Sequence, residues 1–383
     1  MQRRGPLIIY LAAMITLVGC VFLLGWTRTW SAVFVPAVFP PFADMRLIQG
    51  AVISAEQGAK PRMTNPKDLW QRRLNYPLIW IKIGKVVNLQ TEARLILFSS
   101  MAVLFFGGVC AYMLYCFPSW GLLASVLSTA TLFGIERGNI DLIMYCLVFL
   151  SALLFRQVVS PVPILVASAL KIYPVFALVG LLIKKRFRLF FTALIFALGI
   201  FAHLGSDLAF IRSATPIFFD LSYGLISLNN FFSQRFMPSW MFPGSVAIIF
   251  AGTLIITLYL RTIEGICRQE GFEFNLFIAG SSIYVGTFIF STNYDYRLIY
   301  LIFCVPFLQI RHFPFSGVLV ILVIVAMNQL LVYPYSLEEY PVLQAAGLAT
   351  NWFAKLTLFA TFSAYLSVLV LTVFDRDENT VRA

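Results

Sequence analysis

One polar stretch, from Arg28 to Leu89, interrupts a chain that is otherwise mostly apolar. It holds the carboxylate of Asp44 directly after the Pro-rich run 39–42, and it ends in the aromatic run 75–81. Five cations lie between them, namely Lys60, Arg62, Lys67, Arg72 and Arg73. A carboxylate can accept a proton and cations bind phosphate, so this stretch suits the handling of a phosphate-bearing lipid. The alternative is a solvated connector with ordinary surface charges.

The composition is that of a membrane protein. Of the 383 residues, 60% are hydrophobic and only 12% are charged, whereas soluble domains are about 25% charged. Apolar runs of about 20 residues recur, and each is long enough to cross a hydrocarbon core of about 30 Å. We therefore predict an all-α fold: a polytopic transmembrane helical bundle of about 12 spans or half-spans that forms one integral membrane domain.

Charge and cysteine usage exclude other classes. The formal net charge is +11, but the basic residues are scattered over short loops and the Arg28–Leu89 stretch. Membrane orientation and lipid phosphates explain them better than a nucleic-acid partner, which we do not expect. The six cysteines have no CxxC spacing, so neither a zinc site nor a disulfide framework is predicted. No Asn-x-Ser/Thr acceptor is present, as is typical of a bacterial protein.

Basic residues also set the predicted orientation. Two arginines precede the first span, Leu7–Trp26, which places the N terminus in the cytoplasm. The segment 27–92 is then the first outer loop, facing the periplasm from a bacterial inner membrane. Within it we predict one interfacial helix over Ala43–Gly58 and a second around Trp80. The remaining spans bring the C terminus back to the cytoplasm.

The segment 157–188 contains an apparent conflict. Its apolar run, Pro161–Ile183, is one span long, yet basic residues typical of the cytoplasmic side lie at both ends. Because Pro174 removes a donor and breaks the helix, we predict two short helices in a hairpin with Lys171 at the outward tip. A lysine in such a run is a functional candidate. The alternative is a lysine that extends to the membrane surface.

This topology gathers polar groups on the outer side of the membrane, some of them in the turn between the predicted spans Trp120–Ile135 and Leu142–Phe155. The polar groups are Asp44, Arg137, Asn139, Asp141, Lys171, Asn229, Arg235, Asp295 and Arg297. Nucleotides and other cytoplasmic donors do not reach that side. An activated donor would have to arrive in the membrane, and a lipid-linked phosphosugar meets this need.

Such a transfer needs a base for the acceptor hydroxyl and cations for the donor phosphate, and the chain has candidates for both. Asp44 is the candidate base for the proton of the acceptor hydroxyl. Lys171, Arg137 and Arg297 are candidate cations for the donor phosphate, whose negative charge grows as it leaves. The residues that would line the substrate site are Tyr76, Tyr173, Asn139, Asp141, Asn229, Asn230, Arg235 and Asp295.

Each of these residues also has a purely structural interpretation. Asp44 could cap the helix that follows it, because Asp is a preferred N-cap. The side chains at 139 and 141 could cap the next span, and Arg137 could anchor the outer interface. Asp295 and Arg297 could pair with each other, and the tyrosines could belong to an interfacial aromatic belt.

Four pieces of the chain resemble the GT-C membrane glycosyltransferases and, within them, glycosyltransferase family 87, the polyprenyl-phosphate-mannose-dependent mannosyltransferases. The pieces are Phe42–Arg46 followed by Asn75–Leu78, then Gly138–Leu142, Ala169–Pro174 and Ser227–Arg235. The resemblance implies a GT-C fold and an inverting transfer from a polyprenyl-phosphate sugar. It also implies that Asp44 is the base, that Lys171 lies near the lipid phosphate, and that no nucleotide sugar, metal ion or other cofactor is used.

Two departures from the family pattern leave the identity of the sugar open. Leu78 stands where the family often has a second proline, and Gly138 stands where a Gln commonly precedes the Asn. The expected partners are the polyprenyl-phosphate donor, a lipid or glycan acceptor, and membrane lipids. The rival functions are a flippase for lipid-linked sugars, a noncatalytic scaffold of an envelope complex, and a polymerase that joins oligosaccharides. One broken helix without a counterpart in the second half counts against a transporter.

Overall fold

The computed structural model describes residues 4–205, 210, 211, 214, 221–235, 242–262, 270–290, 293–309, 315–332 and 341–381. In the first part of the chain the helices, numbered in order, are α1 Gly5–Leu24, α2 Trp26–Ala32, α3 Ala43–Glu56, α4 Ile79–Val86, α5 Glu92–Cys116, α6 Trp120–Val126, α7 Thr129–Arg137 and α8 Asp141–Leu153.

The second part contains shorter pieces and two 3₁₀ helices, which we name after Tyr173 and Arg297. Its elements are α9 Pro161–Leu170, the Tyr173 3₁₀ helix Tyr173–Leu178, α10 Val179–Ile183, α11 Phe187–His203, β1 Ser222–Tyr223, α12 Leu225–Arg235, α13 Phe242–Arg261, α14 Phe272–Phe290, β2 Asn293–Tyr294, the Arg297 3₁₀ helix Asp295–Cys304, α15 Val305–Leu308, α16 Ser316–Met327, α17 Gln329–Val332 and α18 Pro341–Val381.

The helices are those of a membrane protein. Within the described residues, α1, α5, α14 and the Val342–Phe374 part of α18 are long and apolar enough to cross a membrane, and six further apolar helices are shorter. In α1 only Pro6 and Tyr10 are buried, as expected for a helix that faces lipid. Most residues of α14 are buried, so this helix lies inside the bundle. The prediction of an all-α membrane protein is confirmed.

The segment 27–92 folds onto the bundle, so the alternative of a solvated connector is wrong. Its helix α3 has a fully buried face that includes Met45 and Ile48. At the start of α3 the Arg46 guanidinium donates to both carboxylate oxygens of Glu92, the first residue of α5. Gly58 adopts a φ of +82° just beyond the helix, which agrees with the predicted stop.

The predicted span Trp120–Ile135 consists of two helices, α6 and α7, with a break between them. Ser128 caps α7 by accepting a hydrogen bond from the Thr131 amide. Thr129 is buried, and its backbone amide donates to Oδ1 of Asn328 at 3.0 Å. A distant side chain therefore satisfies the backbone group that the break leaves open.

A second break lies at Lys171. Helix α9 ends at Leu170, Lys171 is extended, and Pro174 stands near the start of the following 3₁₀ helix. The indole Nε1 of Trp80 donates to the carbonyl of Leu170 at 3.0 Å. The 27–92 segment thus supplies a hydrogen bond to a helix end that lies beside Lys171.

A buried ion pair joins the Arg297 3₁₀ helix to α18. Lys355 Nζ donates to Asp295 Oδ1 at 2.8 Å and to Gln329 Oε1 at 2.6 Å. Lys355 is fully buried, and Asp295 is almost so. The pair fixes the first residue of the 3₁₀ helix against the last helix of the chain.

We predict that Lys355→Met lowers the stability of the protein by about 3 to 5 kcal/mol, because it leaves the Asp295 carboxylate buried and unpaired. Thermal unfolding of the purified chain measures the effect. The double variant Asp295→Asn/Lys355→Met removes both charges and should recover most of the loss. A double variant as unstable as the single one would show that the charge pair is not the cause.

Candidate active site

The loop between α7 and α8 fixes the side chain of Asn139. Helix α7 ends at Arg137, and Gly138, its C-cap, has a φ of +56° in the left-handed region. The amides of Gly138 and Asn139 then donate to the carbonyls of Ile135 and Gly134, both at 3.0 Å. On the other side, Asn139 Oδ1 accepts the amide of Asp141 at 2.8 Å. Hydrogen bonds therefore hold both the backbone amide and the side chain of Asn139. Its side chain binds the first residue of α8, so it contributes to the start of that helix, as the structural interpretation of Asn139 proposed.

The side-chain amide of Asn139 joins two groups of charged residues, the first around Asp44 and the second around Asp141. Its Nδ2 donates to Asp44 Oδ2. Its Oδ1 also accepts from Lys171 Nζ at 3.4 Å. Asn139 is fully buried, so this bridge forms away from water, where hydrogen bonds are electrostatically stronger.

Asp44 projects from the first turn of α3 into this group. The N-cap of α3 is Phe42, and no side chain caps the helix, so the interpretation of Asp44 as the N-cap is wrong. The Asp44 side chain is 16% exposed, and Arg72 Nη1 lies 3.7 Å from Asp44 Oδ1. Arg72 is itself held by Asp68 Oδ1 at 2.8 Å and by the carbonyl of Ala43 at 2.6 Å.

Asp141 is the centre of the second group. Its Oδ1 binds Lys171 Nζ and accepts the hydroxyl of Tyr173 at 2.6 Å, and its Oδ2 lies 3.3 Å from Arg297 Nε. The carboxylate is only 1% exposed. Two cations meet one carboxylate here, which leaves one excess positive charge.

Arg297 reaches Asp141 from the other half of the chain. Its Nη1 donates to Asn293 Oδ1, and β2, which holds Asn293, pairs antiparallel with β1. The Arg297 guanidinium also lies 4.4 Å from the ring centroid of Tyr173. The interpretation that Asp295 and Arg297 pair with each other is wrong, because Asp295 binds Lys355 instead.

Aromatic rings surround the Lys171 ammonium group. The ring centroids of Tyr76, Tyr296 and Tyr173 lie 5.2, 5.8 and 5.9 Å from Nζ, within the range of cation–π attraction. Burial raises the pKa of the Tyr76 phenol, and the charge of Asp44 raises it further. Tyr76 therefore stays protonated and faces Lys171 as a neutral ring.

The remaining predicted residues are Arg137, Asn229, Asn230, Arg235 and Asp295. Arg137 contacts Glu136 Oε2 at 3.1 Å and the carbonyl of Pro36 at 3.5 Å. Asn229 and Asn230 are half-buried on α12, and the side chain of Arg235 lies outside the described part of the structure. Roles for these residues and for Asp295 in substrate binding remain predictions.

These contacts include residues that were not among the sequence candidates, among them Arg72, Asn293, Tyr296 and Tyr300. Arg72 was one of five cations in its segment, and nothing in the sequence distinguished it from the others. Asn293 and Tyr300 flank Arg297 at spacings of four and three, which one helical turn would bring together. The Tyr300 hydroxyl lies 3.1 Å from that of Tyr173, so this spacing was a usable signal.

The fold and the site define an integral membrane protein with a charged, aromatic-lined site built from both halves of its chain. The family model of glycosyltransferase family 87 matches residues 77–268, half of the chain. The chain belongs to glycosyltransferase family 87, as its motifs indicated, and it is a membrane glycosyltransferase. No curated protein and no solved structure matches it. The matched range contains Asn139, Asp141 and Lys171, whereas Asp44 and Arg297 lie outside it.

Gly138 allows the loop before Asp44 to approach the loop that carries Asn139. A Cβ atom at Gly138 would lie 2.9 Å from Cβ and Cδ1 of Phe42, closer than packed carbons come. Phe42 in turn opens the helix that carries Asp44. The contact between the two loops therefore requires glycine for two reasons, the close approach and the positive φ.

We expect Gly138→Ala to lower both sugar transfer and thermal stability, the latter by about 1 to 3 kcal/mol, because Phe42 must move and the Asp44–Asn139 contact lengthens. Gly134→Ala on α7 is the matched control, since a Cβ there meets nothing closer than 3.6 Å. Unfolding temperature and transfer rate are measured for both variants. Equal behaviour of the two alanine variants would contradict the role given to Gly138.

Proposed function

We propose that this glycosyltransferase moves a monosaccharide from a polyprenyl-phosphate-linked donor to a lipid or glycan acceptor on the outer face of a bacterial inner membrane, with inversion at the anomeric carbon. Asp44 acts as the general base. Lys171 and Arg297, arranged by Asp141, bind the donor phosphate.

The observation that carries this proposal is the contact between Asp44 and Asn139, whose amide also accepts from Lys171. It brings a partly exposed carboxylate beside two fixed cations that share one buried carboxylate. Acceptor activation and leaving-group stabilisation need these two kinds of group at one site.

The proposed transfer forms one bond at the anomeric carbon and breaks another. The acceptor oxygen forms a bond to the anomeric carbon of the sugar, and its proton passes to the Asp44 carboxylate. The bond between that carbon and the phosphate oxygen breaks, and its electron pair remains on the phosphate. The donor is a phosphodiester with one negative charge, and the polyprenyl phosphate that leaves gains a second.

The excess positive charge of the second group suits this change. Asp141 neutralises one of the two cations, Lys171 and Arg297, so one positive charge is left for the phosphate. Because the group is buried, its cations are held in place before the reaction and act in a medium of low dielectric constant. The partners of the Arg297 guanidinium, Asp141 and Asn293, fix its plane.

Two of the rival functions, the flippase and the scaffold, use only part of this arrangement. A flippase or a scaffold that binds lipid-linked sugars needs cations for the phosphate, but it does not need a partly open carboxylate fixed next to them. Both rivals therefore predict that the function survives an isosteric loss of the Asp44 charge.

Asp44→Asn should lower transfer by about a hundredfold or more, because the acceptor proton loses its base. Membranes that contain each variant receive a panel of radiolabelled polyprenyl-phosphate hexoses and pentoses, with lipid and glycan extracts as acceptors. Glu56→Gln is the matched control, since it removes a carboxylate from the exposed end of the same helix. We expect product from one donor with the native chain and with Glu56→Gln, and none with Asp44→Asn at the same protein level. The donor that gives product would also identify the sugar.

Equal transfer by the native chain and Asp44→Asn would exclude Asp44 as the base. With an acceptor of proven competence present, the absence of transfer from every donor would instead favour the flippase or the scaffold.

Lys171→Gln should lower the turnover number by about a hundredfold, because the charge that develops on the leaving phosphate loses a fixed cation. Lys171→Arg keeps the charge and should retain more activity, which separates the electrostatic role from a folding defect. Lys85→Gln, at an exposed position of α4, serves as the control. An unchanged turnover number for Lys171→Gln would contradict the proposed role.

A further inference from the structure

A cluster of basic residues that is separate from the site lies at the opposite end of the bundle from Asp44. A cavity there of about 510 Å³ is lined by Arg156, Lys184 and Arg186. One carboxylate, that of Glu270, also lines it. Among the described residues that line it, three cations and one carboxylate leave two positive charges in excess. None of these residues takes part in the site described above.

Two helices measure the separation between this basic cavity and the site. Helix α8 begins at Asp141 and ends near Arg156, about 20 Å away at 1.5 Å per residue. Helix α14 begins at Phe272, which lines the cavity, and ends about 28 Å away, close to Asn293. The longer of the two lengths approaches the thickness of a hydrocarbon core, about 30 Å. The two groups therefore face opposite leaflets of the membrane.

Contacts hold two of the three cations of the cavity, Arg186 and Lys184. Arg186 Nη1 donates to the carbonyls of Phe155 and Gln157, just past the end of α8. The Lys184 ammonium group lies 4.5 Å from the ring centroid of Phe274. Burial lowers the pKa of Lys184, while Glu270 opposes the change and Arg156 adds to it. An anion in the cavity would relieve the repulsion between Lys184 and Arg156.

The mouth of the cavity favours a lipid over a soluble anion. Leu153 lines the cavity and is 49% exposed, and Leu150, one turn earlier on α8, is 40% exposed. Beyond Arg156, Val158 and Val159 are also exposed. An apolar surface that adjoins fixed cations at a membrane boundary matches a phosphate head group with its acyl chains.

We propose that the basic cavity binds the phosphate head group of an anionic phospholipid in the leaflet opposite to Asp44. The cations contact the phosphate, and the exposed leucines and valines contact the acyl chains. The site is independent of the proposed sugar transfer.

Native mass spectrometry of the delipidated, purified full chain tests this proposal, with short-chain phosphatidylglycerol, phosphatidylcholine and inorganic phosphate as probes. The native chain should bind one phosphatidylglycerol more tightly than phosphatidylcholine. Arg156→Gln and Lys184→Gln should each weaken that binding about fivefold, the value of one cation near an anionic lipid surface. Arg156 is exposed, so its variant should fold normally, and thermal unfolding checks each preparation.

Arg188→Gln is the control, because it removes an equal charge from an exposed position nearby that does not line the cavity. An equal loss of binding with Arg188→Gln would overturn the proposal in favour of general surface attraction. Equal affinity for the two phospholipids would overturn it as well. Displacement of phosphatidylglycerol by inorganic phosphate at equal concentration would overturn the assignment to a lipid and indicate a site for soluble phosphate.

Discussion

The site depends on one side-chain amide, that of Asn139. Its nitrogen donates to Asp44 and its oxygen accepts from Lys171 and from the backbone of Asp141. Three parts of the chain, otherwise separate in sequence, meet at this buried group. An amide has a donor at one end and an acceptor at the other, so it can face a carboxylate and an ammonium group at once. No charged side chain could satisfy both neighbours.

The Arg297 3₁₀ helix is held by two buried ion pairs that face different parts of the bundle. Asp295 pairs with Lys355 on the last helix, and Arg297 pairs with Asp141 at the start of α8. The C-terminal region thereby helps to position a cation of the site, although the family match ends at residue 268. Breaking a buried pair costs more than forming it contributes, so such pairs specify one arrangement.

Local rules predicted much of this fold but none of its long-range partners. The helix that carries Asp44, its stop near Gly58 and the break beside Lys171 follow from residue types within a few positions. The break between α6 and α7 depends on Asn328, about two hundred residues away, and the partner of Asp295 lies sixty residues further on. The pattern of basic residues predicted that Asp44, Asp141 and Lys171 lie on one side of the membrane, but it could not show that one amide joins them.

The two carboxylates of the site, Asp44 and Asp141, differ in exposure, and this difference suits the different roles that we propose for them. The side chain of Asp141 is 1% exposed and has three partners, whereas that of Asp44 is 16% exposed. A general base must release its proton after each turnover, which requires a path to water. A carboxylate enclosed by two cations and a phenol binds protons weakly and exchanges them slowly. The burial of Asp141 therefore suits the arrangement of cations, and the opening at Asp44 suits proton transfer.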